Sequence, residues 1–118
     1  MYTIQLISCY FGELKPEFYL WLNSCGYNKT IDFLFVTDQV IAADICPPNV
    51  KIVHATLKDI KDVADRIFNF DVELSTPYKL CDYKVAYGLI FREELEPYDF
   101  WGYCDSDMVF GNIRKYIT

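Results

Sequence analysis

The sequence predicts an α/β fold: a Rossmann-like, mostly parallel sheet with helices on both faces. Three observations carry that expectation. Short β-prone apolar runs alternate along the chain with segments of helical period. The connections between them are brief, with no repeat, linker or low-complexity stretch. Hydrophobic residues make up 53% of the chain and aromatics 18%, which supplies the apolar surface that a sheet covered on both faces requires. A length of 118 residues suits one domain.

The elements follow in order. Ile4 to Phe11, ending at Gly12, reads as a buried first strand. Pro16 opens a helix over Glu17 to Asn23 with Phe18, Trp21 and Leu22 toward the core, and Gly26 is expected to close it. Ile31 to Thr37 is the second strand, with Asp38 at its carboxyl end, and Val50 to His54 a short third. Thr56 and Asp59 make a near capping box before Leu57, Ile60, Val63, Ala64, Ile67 and Phe68, which recur at helical spacing. Pro77 to about Leu95 is expected as a second long helix, capped by Thr76 and ended by Pro97. Asp99 to Cys104 is expected as a final buried strand.

Charge and cysteine usage exclude some functions. The net charge is −6, from 17 acidic and 11 basic residues, and no Lys/Arg cluster offers a nucleic-acid phosphate backbone its contacts. An acidic protein that binds a phosphorylated ligand usually needs a cation between the two. The five cysteines, Cys9, Cys25, Cys46, Cys81 and Cys104, are spread singly, so neither a zinc site nor a disulfide framework is expected. All five read as structural, with Cys9 and Cys104 as small core residues inside apolar runs, and a reducing compartment suits them. The N-terminus has no signal-peptide pattern, and no apolar stretch nears the roughly 20 residues that span a bilayer. A cytoplasmic location is the expectation, with peripheral attachment to the inner membrane left open.

The strongest chemical signal is Trp101-Gly102-Tyr103-Cys104-Asp105-Ser106-Asp107-Met108-Val109-Phe110. Two aspartates at i and i+2 of an extended chain point to one side, and two such carboxylates repel unless a cation or solvent lies between them. A hard divalent ion, Mg²⁺ or Mn²⁺, fits carboxylate ligands and keeps positions open for phosphate oxygens. A bare D-x-D also marks solvated turns; apolar flanks on both sides favour the metal. Asp38 and the Asp105/Asp107 pair both follow strands, where ligands gather in parallel sheets.

Upstream, Lys84 interrupts the stripe of Leu80, Tyr87 and Phe91 on its helix. It must snorkel outward or reach an anion, either a phosphate or the nearby aspartates. Lys79 and Asp82 fit an exposed ion pair equally well. Tyr10 and Phe11 end the first strand where a base or ribose would stack, or they pack the core. His54 reads as structural or solvent-facing.

Together, the Y-K-L-C-D-Y-K-V-A-Y-G segment and the Y-D-F-W-G-Y-C-D-S-D-M-V-F-G-N-I segment resemble bacterial glycosyltransferases of the GT-A superfamily, in a group associated with polysaccharide synthesis. The resemblance implies a metal-dependent enzyme that uses a nucleotide-diphosphate sugar donor and a saccharide or glycoconjugate acceptor. It implies Asp105 and Asp107 as ligands of Mn²⁺ or Mg²⁺, with Asp105 also touching the donor. Tyr10, Asp38, Asp82 and Lys84 join as donor-binding residues. A GT-A domain normally continues well past its D-x-D to supply the acceptor site and any catalytic base. Residues 1–118 are accordingly expected to be the donor-binding, N-terminal part of such a domain, truncated after the motif, inactive alone and prone to self-association.

Two other readings stay open. Asp105-Ser106-Asp107-Met108-Val109 fits the nucleophile motif of haloacid-dehalogenase-like phosphohydrolases, although that motif normally lies on the first strand of its domain. A non-catalytic nucleotide- or protein-binding fragment is the other.

Overall fold

The computed structural model describes residues 1–117, with the side chain of Cys81 outside the described set; the expectation that Cys81 is structural lies outside the described residues. Four strands, β1 (Ile4–Tyr10), β2 (Ile31–Thr37), β3 (Val50–His54) and β4 (Phe100–Tyr103), form one sheet in the order β3-β2-β1-β4. Every pairing is parallel, with Ile4 opposite both Ile31 and Phe100. The α/β expectation holds.

Strand alternation separates two cores. Ile31, Phe33 and Phe35 face α1 (Glu17–Tyr27), whose Phe18, Trp21, Leu22 and Cys25 fill that side. Ile7, Leu34 and Val36 face the other way, against Ile60 and Ala64 of α2 (Leu57–Phe68) and the segment that carries Leu80, Tyr87 and Leu95. Each helix closes one face of the sheet because the side chains of a strand alternate with period two.

Helix α1 runs to Tyr27, so Gly26 lies inside its last turn and does not close it. The helix ends instead at Asn28, in a non-helical conformation. Gly26 has a packing reason: a Cβ there would come within 3.0 Å of the Pro47 ring. The α2 start follows the expected capping box, with Asp59 N–H donating to Thr56 Oγ1 at 3.1 Å and Thr56 N–H to Asp59 Oδ2 at 2.9 Å.

The long helix expected from Pro77 to Leu95 is instead a 3₁₀ helix over Pro77–Ala86 followed by two single turns, α3 (Tyr87–Ile90) and α4 (Arg92–Leu95). Thr76 occupies the N-cap position but makes no capping hydrogen bond with its side chain. Leu80, Tyr83 and Ala86 all pack on the same core; their spacing of three suits three residues per turn. Lys84 is off that stripe, which removes the apparent interruption.

β4 also differs from the expectation. It is an edge strand, with Phe100, Trp101 and Tyr103 each 39–53% exposed, where a buried strand was expected. Its rings lie across neighbours: Phe100 meets Tyr2 edge-on at 5.1 Å, and Trp101 covers Gly88, where a Cβ would sit 2.7 Å from the indole. Apolar content is thus spent on lateral contacts outside any sandwiched layer. Among the described residues no helix is long and apolar enough to cross a membrane.

Candidate functional site at the β1–β4 crevice

All four strands end on the same edge of the sheet. From β1 the chain moves to one side to build β2 and β3, then returns on the other side of β1 as β4. The β1–β4 boundary is therefore the switch point at which connections diverge and leave a crevice, the place where open parallel sheets collect ligands. A hollow of roughly 490 Å³ opens there. Tyr10 and Phe11 line it from the end of β1, Tyr78, Leu80, Lys84 and Tyr87 from the 3₁₀ helix and α3, and Asp105, Ser106 and Asp107 from beyond β4.

The D-x-D segment is held at both ends. Cys104 N–H donates to Ile7 O at 2.9 Å, which extends the β1–β4 ladder by one bond. Beyond it the chain bends at residues 106–108, so the aspartates do not lie on an extended strand as expected. The bend, and not strand alternation, brings both carboxylates to the hollow. On the far side Phe110 packs 5.6 Å from Phe33, and the buried Asn28 bonds to Gly111 and Ile113.

Asp105 Oδ1 accepts from Lys84 Nζ at 2.7 Å, and the same ammonium lies 5.8 Å from the Tyr103 ring centre. Lys84 thus reaches an anion and does not merely snorkel. Asp107 is exposed. Among the described residues no group of three or more His, Cys, Asp or Glu side chains converges as a metal cage. The two hard carboxylates suit Mg²⁺ or Mn²⁺ as a partial ligand set, which would leave the remaining positions to phosphate oxygens and water.

The other expected site residues separate into two groups. Tyr10, Lys84, Asp105 and Asp107 share the hollow. Asp38 and Asp82 do not line it. Asp38 Oδ1 accepts from Gly12 N–H and Gln39 Nε2, each at 3.0 Å, and the Gly12 N–H holds its carboxyl below the usual carboxylate range. It thereby fixes the exit from β1, where Gly12 takes a φ of 111° that favours glycine. Asp82 pairs with Lys79 at 3.0 Å. His54 is exposed, with Nε2 3.1 Å from Asp38 O.

Sequence reasoning passed over Lys15. It lines both the main hollow and a second one of roughly 290 Å³; the two also share Tyr10, Ser106 and Asp107. Its place in the loop directly after the first strand was the available signal. Cys9 also lines the hollow, but burial pushes its thiol up to about 12 against the opposing pull of Tyr87 and Lys84. Burial likewise raises Cys104 to about 12. Neither is poised as a nucleophile.

Comparison with known proteins returns one family. Residues 6–118 match the family described as "Family of unknown function (DUF6625)". No curated protein and no solved structure matches the chain.

Proposed function

The chain belongs to the DUF6625 family, whose function is unknown, and we propose that it is the donor-binding part of a metal-dependent glycosyltransferase. The donor is a nucleotide-diphosphate sugar seated in the β1–β4 crevice, and the acceptor a saccharide or glycoconjugate. The carboxylates of Asp105 and Asp107 would hold Mn²⁺ or Mg²⁺ there.

One observation carries this reading: the two aspartates and a lysine meet at the switch point of a parallel sheet, in a hollow large enough for a nucleotide moiety. Such an ion would supply Lewis-acid stabilisation of the charge on a departing diphosphate. The chain's own residues bind and orient. Tyr10 offers a ring at the mouth of β1, Lys84 and Lys15 bring positive charge to the phosphates, and Asp38 keeps the loop after β1 in place.

Calorimetric titration with UDP and GDP, with and without Mn²⁺, tests the proposal. Binding is expected only with the metal, and Asp107→Ala is expected to abolish it. Nucleotide binding of equal strength with and without Mn²⁺ would count against it.

A further inference from the structure

We propose that Lys84 is the resident counter-cation of Asp105 and that it makes divalent-ion binding depend on the simultaneous presence of a diphosphate. The inference rests on the function proposed above and adds to it a coupling between the two ligands, carried by one side chain.

The geometry sets up a competition. Lys84 Nζ is 2.7 Å from Asp105 Oδ1, and its side chain is 24% exposed, so the ammonium is partly withdrawn from water. A hard divalent ion binds carboxylate oxygens at roughly 2.0–2.2 Å. An ion on the same Asp105 oxygen would therefore sit within about 5 Å of an ammonium that stayed in place, where repulsion is only partly screened. The two cations contend for one carboxylate. Asp107 offers little rescue, because no third acidic, His or Cys ligand converges with the pair among the described residues.

A diphosphate changes the balance. Lys84, Asp105 and Asp107 line the same hollow, so a phosphate placed there gives the ammonium an alternative to Asp105 and gives the ion additional oxygen ligands. Lys84 then moves its charge from Asp105 to the phosphate as the ion arrives. Because coupling is reciprocal, the nucleotide raises the affinity for the ion by the factor by which the ion raises the affinity for the nucleotide.

The test follows Mn²⁺ alone, through loss of the paramagnetic resonance signal of the free hydrated ion, in the wild type, Lys84→Gln and Lys84→Arg. Lys84→Gln is expected to bind Mn²⁺ about tenfold more tightly than wild type, and Lys84→Arg to match wild type. Lys84→Met replaces the Gln variant should that one unfold. Titrations with UDP and GDP then give the coupling factor, which is expected to shrink in the neutral variant. Equal affinity for Mn²⁺ alone in wild type and Lys84→Gln overturns the inference. If wild type binds neither nucleotide with Mn²⁺ while the neutral variant still gains affinity for the metal, the donor assignment fails and the competition stands. No Mn²⁺ binding by any of the proteins at millimolar concentration overturns both.

Discussion

The side-chain oxygen of Asn28 accepts a hydrogen bond from Ile113 N–H at 2.9 Å, across 85 positions of sequence. Its amide nitrogen donates to Gly111 O and to Ser24 O, each also at 2.9 Å. One buried carboxamide thus ends α1 and anchors the segment that leaves the Asp105–Asp107 bend. Asn28→Ala strands these partners in a buried setting and should cost about 2–3 kcal/mol. Urea unfolding measures the loss, and hydrogen exchange at Ile113 should accelerate. An unchanged midpoint with unchanged exchange would show that the anchor is idle.

The reciprocal Thr56–Asp59 hydrogen bonds satisfy two N–H groups at the start of α2. Thr56→Ala should destabilise the fold by about 1 kcal/mol, whereas Thr56→Ser should be close to neutral. Thermal melts of the two variants make the comparison, and equal losses in both would contradict the capping account.

Stability should fall on acidification. Asp38 is held below the usual carboxylate range first by Gly12 N–H, Asp59 by the Thr56 N–H and hydroxyl, and Asp65 by the Lys61 ammonium and then Val72 N–H. A depressed folded value means that the stabilisation is complete above the unfolded value of about 3.9 and is lost as pH falls through the folded values. The melting temperature should be flat from neutral pH to about 5 and decline below about 4. Asp38→Asn should flatten part of that decline; an identical acid slope in the variant would contradict the contribution of the Gly12 bond.

The thiols of Cys9 and Cys104 should be inert in the folded protein. With Cys9 and Cys104 raised to about 12 by burial, thiolate at pH 8 is scarce by a factor on the order of ten thousand. Alkylation by iodoacetamide, located by mass spectrometry, should be slow at both positions until denaturant is added. Rapid labelling of the folded chain at Cys9 would show the hollow to be more open and polar than described.

The parts of this molecule that sequence makes legible are those decided locally or by strict period. The run from Ile31 to Thr37 alternates between two cores and could be read directly, and Thr56 with Asp59 carries its own hydrogen-bond logic. The segment from Pro77 to Leu95 was less legible because Leu80 suits either a spacing of three or one of four. The choice between them decides whether Lys84 sits on the core stripe or beside it. Asp82 and Lys84 are two residues apart, yet only the lysine lines the hollow; which one does depends on the pitch of that 3₁₀ helix. The exposure of Trp101 and Tyr103 was hidden for another reason. An edge strand and an interior strand differ in their neighbours, and composition does not register neighbours. The site's acidic pair was visible, but its bend and its partnership with Lys84 are tertiary facts.

Asp105 and Asp107 are proposed to hold a divalent ion at the β1–β4 crevice. Crystals grown with Mn²⁺ and UDP or GDP, measured for anomalous scattering at the manganese edge, locate the ion directly. A peak is expected within ligand distance of both carboxylates, beside the nucleotide's phosphates and with the Lys84 ammonium moved off Asp105. Nucleotide bound in the crevice with no peak there, or a peak on other residues, would contradict it.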